Sequence, residues 1–171
     1  MTTRTEPLAC RFADDGAVPN NPNLPVVIYA QVIPLHGDPA AAIEHIFARN
    51  DWPPQWRNGV YGFHHYHSTA HEVLGIAKGH VKLRLGGENG RDFDMQAGDV
   101  LVLPAGTGHK RLAASADLLV VGGYPPGQDY DLLRGNASDR PSALDNIKRV
   151  PLPASDPVYG RDGPLTGLWR M

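Results

Sequence analysis

Cysteine and long apolar stretches are scarce in this sequence, and each shortage excludes a class of protein. Cys10 is the only cysteine among 171 residues, so the chain cannot form an internal disulfide and a reducing compartment is expected. No apolar stretch approaches the ~20 residues of a membrane span, and the start of the chain lacks the apolar core of a signal peptide. We therefore predict a cytoplasmic protein that does not bind membranes.

An excess of charge of one sign is also absent. Lys and Arg together number 16 and Asp and Glu together number 18, which gives a formal net charge of −2. This balance does not favour binding to nucleic acid. Glycine and proline, in contrast, are abundant at 19 and 16 residues, and such a composition favours many turns over long helices.

Short β-branched segments separated by glycine turns predict an all-β fold. Val26–Ile33 lies between two prolines and is predicted to be a strand, either ended by those prolines or placed at a sheet edge. We predict further strands at 59–67, 71–78, 81–86, 91–95, 100–103, 109–114 and 117–124. Short strands at regular spacing indicate a β-sandwich or barrel.

One short helix is predicted after the first strand. Asp38 is suited to cap its free N–H groups, and Pro39 is suited to its first turn. Ile43, Ile46 and Phe47 recur at helical intervals and share one face. We expect this helix to cover the sheet rather than to take part in catalysis.

The length of the chain is typical of one domain, and we expect a single domain over residues 1–171. Residues 1–24 are polar and rich in turn formers, so we predict an extended arm. The barrel core is predicted over residues 25–124. Residues 125–171 are predicted to form a tail that docks on the barrel, because Leu165, Leu168 and Trp169 are apolar anchors.

The stretch from Gly59 to Gly79 contains three candidate metal ligands. His65 and His67 are two positions apart, so they point the same way if the chain is extended there. Glu72 follows a turn and can return on the next strand. Two imidazoles and a carboxylate are ligands of the borderline kind that transition metals accept, and a fourth ligand is expected from elsewhere in the chain.

A second stretch, from Gly98 to His109, is placed to supply that ligand. It reads as a strand, a tight turn rich in proline and glycine, and a returning strand. The returning strand brings His109 back toward the sheet.

Together the two stretches resemble the two motifs of the cupin superfamily. The first, G-x5-H-x-H-x4-E-x6-G, is matched at every fixed position by Gly59, His65, His67, Glu72 and Gly79. The second, G-x5-P-x-G-x2-H-x3-N, is matched by Gly98, Pro104, Gly106 and His109. The chain departs from the family at Ala113, where the pattern has Asn; that Asn is not a metal ligand in the family, so the departure concerns local sheet hydrogen bonding.

Most of residues 11–169 also look like the YjlB-type group of bacterial cupins. The stretches that carry this resemblance are Phe63–Gly75, Tyr124–Gln128, Asp156–Gly160 and Gly163–Leu165. The resemblance to this group assigns no reaction.

The superfamily resemblance implies a small jelly-roll barrel, all-β with one short helix. It also implies one divalent metal ion held by three histidines and one glutamate: His65, His67, His109 and Glu72. Four ligands leave one or two positions open on a metal that accepts five or six, as in a catalytic site. The mixed nitrogen and oxygen set suits Fe, Mn, Ni, Cu or Zn and does not select among them.

Other polar residues near the motifs have two interpretations each. The alternative for the four ligands is a polar core without metal, which is disfavoured because burying such groups unpaired is costly. His64 and His71 flank the ligands, and we expect both on an outer face or at an interface. Arg111 shares the orientation of His109, so it either binds an anionic substrate in the barrel mouth or is a solvated charge at a strand end.

The aromatic residues near the motifs are expected to have packing roles. Tyr61 and Phe63 share the orientation of His65 and are expected in the cavity wall. The three tryptophans are predicted to be packing anchors.

Two functions remain open at this point. The first is a metal-dependent enzyme acting on a small polar molecule, as a dioxygenase or an isomerase. The second is a binding or sensing module without turnover, because no side chain apart from the ligands is a clear general base. The resemblance also implies a homodimer, for which the N-terminal arm and Val26–Ile33 are suitable material.

Overall fold

In a computed structural model, which describes residues 4–171, nine strands form two antiparallel sheets. In chain order the strands are β1 (Leu8–Cys10), β2 (Val26–Tyr29), β3 (Pro54–Asn58), β4 (Glu72–Lys78), β5 (His80–Leu85), β6 (Arg91–Gln96), β7 (Val100–Leu103), β8 (His109–Ala114) and β9 (Leu119–Gly123). The larger sheet has the order β1-β2-β7-β4-β9-β3, and the smaller has the order β6-β5-β8. The first three residues of the predicted arm lie outside the described range.

The helices are α1 (Pro39–Arg49), α2 (Arg140–Arg149) and α3 (Pro164–Leu168), with a 3-10 turn at Ala137–Asp139. The predicted helix is present, and the Asp38 carboxylate accepts a hydrogen bond from the Ala41 N–H at 3.1 Å. Residues 4–171 contain three α-helices, whereas one was predicted. In α2 only Ala143 and Ile147 are buried, so its apolar pattern is weak in the sequence. Within the described residues, none of the helices combines the length and the apolar character that a membrane span requires.

Strand β4 is buried on both faces, and it separates two apolar cores. Leu74 and Ile76 face the smaller sheet, within the core between the two sheets. Val73 and Ala77 face the opposite way and pack in the core beneath α1. Gly75 allows this helix to approach closely, because a Cβ at that position would lie 2.7 Å from a methyl carbon of Ile43.

The predicted strand at 59–67 is wrong. The strand that precedes β4 is β3 at Pro54–Asn58, and it pairs with β9. Residues 59–64 are irregular, and His65 and Tyr66 form only isolated bridges. Two consecutive prolines, Pro53 and Pro54, disfavour a strand in the sequence, yet β3 begins at the second of them.

The predicted strand at Val26–Ile33 is present but ends at Tyr29. It pairs with β1 on one side and with β7 on the other, so it is not an edge strand. The unpaired edge on that side of the larger sheet belongs to β1.

The C-terminal residues pack against the outer side of the larger sheet. Leu165 is fully buried, and the Trp169 indole N–H donates a hydrogen bond to the Pro25 carbonyl at 2.8 Å. Trp52 is also fully buried and contacts Trp169. These contacts enclose the core beneath α1 on the side that faces away from the smaller sheet.

Candidate metal centre

The four predicted ligands come together between the two sheets. His65 and His67 lie in the irregular segment before β4, Glu72 begins β4 and His109 begins β8. Paired backbone hydrogen bonds join the two motifs, from the His65 N–H to the His109 carbonyl at 3.2 Å and in return at 2.9 Å. A third, from the Gly106 N–H to the His67 carbonyl at 2.8 Å, fixes the turn of the second motif against the first.

The side chains of these residues are buried and close together. One ring nitrogen from each of His65, His67 and His109 lies within 4.8 Å of the other two. The Glu72 carboxylate is 3.3 Å from His67 Nε2 through one oxygen and 3.2 Å from His109 Nε2 through the other. The three buried histidines are positioned to bind a metal ion.

Backbone carbonyls fix the orientation of all three rings. His65 Nδ1 lies 3.1 Å from the Phe63 carbonyl, and His109 Nδ1 lies 3.0 Å from the Thr107 carbonyl. His67 Nδ1 makes the same contact with the Asp131 carbonyl.

This arrangement determines which ring nitrogen carries hydrogen. A carbonyl oxygen only accepts hydrogen bonds, so each Nδ1 carries hydrogen, and each neutral ring presents an Nε2 lone pair. Two of these lone pairs face a carboxylate, and that contact is repulsive unless a proton or a cation lies between them. Ring nitrogens held in this way by outer partners are typical of metal ligands.

The pKa values of these side chains reflect their burial and their closeness to one another. Burial, followed by the neighbouring His109 ring, lowers the pKa of His65 to about 3. Burial alone would raise the pKa of Glu72, but the His67 and His109 rings outweigh it and hold that pKa well below its ordinary value. Burial opposes protonation of His67, yet the carboxylate of Glu72 raises the pKa of that ring. A lowered pKa favours the ionised form of Glu72, which is the form that binds a metal.

The Glu72 carboxylate is supported by a hydrogen-bonded pair of side chains that the sequence did not predict as part of the site. The Tyr124 hydroxyl donates to the carboxylate at 2.7 Å and accepts from the Trp56 indole N–H at 2.9 Å. Burial and the charge of Glu72 raise the pKa of Tyr124, so this hydroxyl keeps its proton. Trp56 lies over Gly122, where a Cβ would clash with its ring at 2.1 Å. Trp56 is thus part of the site and more than the packing anchor that was predicted.

A cavity of about 370 Å³ adjoins the cluster. Besides the four predicted ligands, its lining residues are Trp56, Asn58, Gly59, Val60, Tyr61, Gly62, Leu74, Arg111, Tyr124, Tyr130 and Leu132. Most of this wall is aromatic or aliphatic, and Arg111 is its single cationic side chain. The guanidinium lies beside Gly62, where an added Cβ would be 3.2 Å from Nη2.

The flanking histidines lie outside the cluster, as predicted. His64 Nδ1 lies 3.1 Å from a Glu88 carboxylate oxygen, and its Nε2 accepts from the Gly87 N–H at 3.1 Å. His71 points to the opposite side of the larger sheet, where it is buried against Trp169 rather than exposed.

Both predicted aromatic residues lie beside the cluster. Tyr61 lines the cavity, and its ring stacks on that of Phe63 at 4.8 Å. Both rings also make edge contacts with His65.

Three residues beyond the barrel strands contribute to the site without having been predicted. Asp131 supplies the carbonyl to His67, and Tyr130 and Leu132 line the cavity. The nearby stretch Tyr124–Gln128 carries part of the family resemblance, and it is the signal in the sequence that lies closest to them.

Comparison with known proteins identifies the class of this fold and site. A model of the cupin domain matches residues 53–121, which span both motifs. The chain is also 40% identical over 158 residues to the "Uncharacterized protein YjlB" of Bacillus subtilis (strain 168), covering 92% of this chain and 93% of that protein. The chain therefore belongs to the cupin family. Within that family it is a cupin of the YjlB type, and the predicted all-β jelly roll is confirmed.

Solved structures show more distant likenesses. A DUF861 family protein from Thermotoga maritima is 21% identical with a TM-score of 0.34, over 52% of this chain and 94% of that chain. An acireductone dioxygenase from Bacillus anthracis, with a cadmium ion in its active centre, is 18% identical with a TM-score of 0.37, over 52% of this chain and 60% of that chain. Neither likeness carries an argument about the reaction of this protein.

Proposed function

We propose that His65, His67, His109 and Glu72 bind one divalent transition metal, and that the protein is a metal-dependent enzyme acting on a small polar molecule. One observation carries the proposal. Three imidazoles are held by backbone carbonyls so that one ring nitrogen of each lies within 4.8 Å of the other two, and two of these rings face the Glu72 carboxylate beside a cavity of about 370 Å³. Iron, manganese, nickel, copper and zinc all suit this ligand set.

The cavity supplies the groups that would hold a substrate. A bound metal in this position would act as a Lewis acid on a substrate oxygen. Arg111 makes no hydrogen bond or ion pair through its guanidinium within the described residues, so it is free to bind an anionic group of the substrate. Chemistry of the dioxygenase or isomerase kind is consistent with one metal, one anion-binding group and a wall that is mostly aromatic or aliphatic.

A second candidate is a metal-dependent binding or sensing protein without turnover. The observation that favours it is the lack of a free general base, because among residues 4–171 the cavity lining has no carboxylate or imidazole apart from the four proposed ligands. Oxygen consumption by iron-loaded protein on a panel of small acids would support oxygenase chemistry. Zinc as the resident metal, with no turnover of any panel member, would favour the binding function.

Metal content per chain tests the proposal directly. His109→Ala should lose most of its metal at neutral pH, although the remaining three ligands retain some. His64→Ala is the matched control, because that ring lies outside the cluster, and it should keep the wild-type content. An unchanged content in His109→Ala would refute the site, and equal losses in both variants would refute the assignment of individual ligands.

Three broader expectations belong to the same proposal. We propose that residues 1–171 form one domain, that the protein is cytoplasmic and that it is a homodimer. Light scattering at micromolar concentration should give twice the mass of the chain, and a monomer mass would refute the dimer.

A further inference from the structure

The imidazole of His67 differs from the other two in the origin of its carbonyl partner. His65 and His109 each contact a carbonyl two residues earlier in the chain, whereas the partner of His67 is Asp131, 64 residues later. The orientation of His67 therefore depends on how the segment 129–133 is held against residues 66–69.

The side chain of Asp131 makes the contacts that hold its own carbonyl in place. One carboxylate oxygen accepts from the Ser68 N–H at 2.6 Å, and the other accepts from the Ser68 hydroxyl. Ser68 is fully buried and follows His67 directly in the chain. Asn146 of α2 donates to the same hydroxyl at 3.1 Å, which ties this contact to that helix.

Further hydrogen bonds align the two segments. The Thr69 hydroxyl donates to the Asp129 carbonyl at 2.7 Å and accepts from the Asp131 N–H at 3.0 Å. Tyr66 and Leu133 exchange two backbone hydrogen bonds of 2.9 and 3.0 Å.

We infer that Asp131 is a positioning residue for the metal site: its carboxylate, anchored on Ser68, holds its carbonyl where it orients the ring of His67. The inference rests on the proposed metal site and adds a requirement to it. The same segment carries Tyr130 and Leu132 into the cavity wall, so the placement of His67 and the shape of the wall depend on one set of contacts.

The test is a titration of the metal-free protein with cobalt(II), followed by visible absorption. Asp131→Ala keeps the backbone carbonyl but frees it to move, so the affinity should fall about tenfold, the lower end of what outer partners of ligands contribute. The cobalt absorption bands should also change, because they report the arrangement of the ligands. Asp131→Asn retains an oxygen that can accept from the Ser68 N–H, and it should bind nearly as tightly as the wild type.

Asp129→Ala is the matched control, because it removes a carboxylate that makes no hydrogen bond or ion pair within the described residues of the same segment. It should leave the affinity and the absorption unchanged. If Asp131→Ala does not fold, Ser68→Ala removes one of the two contacts and should weaken cobalt binding in the same direction.

Two results would overturn the inference while leaving the metal site intact. One is equal affinity in Asp131→Ala and Asp129→Ala, and the other is a loss in Asp131→Asn as large as in Asp131→Ala. A wild-type protein that binds no cobalt would overturn the proposed function, and this inference with it.

Discussion

The two sides of the larger sheet each bury a carboxylate, and the two carboxylates have opposite surroundings. Asp156, on the outer side, accepts hydrogen bonds from three backbone N–H groups and one tyrosine hydroxyl: Val158, Tyr159, Leu165 and Tyr29. Glu72, between the sheets, accepts from the Tyr124 hydroxyl and otherwise faces two imidazole nitrogens that carry no hydrogen when the rings are neutral.

This difference separates a structural carboxylate from one that binds a ligand. All the acceptor capacity of Asp156 is used by donors of the protein itself, and the result is a tail fixed to the sheet. The cluster around Glu72 has one described donor, the Tyr124 hydroxyl, and is rich in lone pairs, so it needs a cation or protons to be stable when buried. Burial of a polar group does not by itself indicate function, whereas a shortage of hydrogen-bond donors around buried acceptors does.

The largest expected loss of stability concerns Asp156, the carboxylate whose acceptor positions are all used. Asp156→Ala leaves four donors without an acceptor, three of them buried and one partly buried, and the loss of a buried contact costs about 1–3 kcal/mol. We expect the free energy of unfolding to fall by at least about 4 kcal/mol in urea titrations. Asp162→Ala, which removes an exposed carboxylate nearby, should have little effect. A similar small change in both variants would show that the contacts of Asp156 are not what fixes the tail.

The next largest effect concerns stabilisation by metal at the cluster around Glu72. Adding zinc at a free concentration of 100 times its dissociation constant should raise the free energy of unfolding of the wild type by about 2.7 kcal/mol. His65→Leu should lose this increment. In the absence of metal the same variant should differ from the wild type by less than about 1 kcal/mol, because an apolar side chain replaces a poorly paired polar one. A large destabilisation of metal-free His65→Leu would mean that this cluster is structural too.

A third, smaller effect is the pH dependence from His71 on the outer side. Burial lowers the pKa of this ring to about 4, against the opposing effect of the Pro151 carbonyl. Below the ordinary histidine pKa the unfolded chain binds a proton here and the folded protein does not, so stability falls as pH falls and the penalty is complete below pH 4. At pH 5 the loss is about 2 kcal/mol.

His71→Phe tests this by the slope of stability against pH in the metal-free protein. Between pH 6.5 and 5 the variant should lose less stability than the wild type by about 1.6 kcal/mol. At neutral pH it should be less stable, since the Ala105 N–H loses its acceptor. Identical slopes would mean that the ring is protonated in the folded state.

The sequence predicted the inner cluster more completely than the contacts around it. His65, His67 and Glu72 could be found because their spacing is local, and His109 because a turn of fixed pattern returns it to the sheet. The convergence of the four side chains survives even though 59–67 is not a strand, since the bridge between His65 and His109 fixes the same geometry.

The parts that were missed depend on contacts far apart in the chain. Asp131 reaches His67 through its backbone, which any residue type could supply, so its identity gave no signal. Trp56 reads as a packing residue in the sequence because its hydrogen bond to Tyr124 spans 68 positions. The helix α2 is mostly exposed, and two buried positions are too few to produce a clear periodic pattern.

The smallest expected effect follows from removing the Tyr124 hydroxyl, the one described donor to the Glu72 carboxylate. Tyr124→Phe removes the hydroxyl that donates to Glu72 and leaves the Trp56 N–H without an acceptor. Water from the adjoining cavity can replace part of both contacts, so we expect a loss of stability of only about 1 kcal/mol. Metal affinity should fall by less than the tenfold that outer partners commonly contribute. Tyr130→Phe is the control, because that ring stacks on Tyr124 at 4.7 Å but its hydroxyl makes no hydrogen bond within the described residues. Equal effects of the two substitutions would mean that the ring, and not the hydrogen bond to Glu72, is what the site requires.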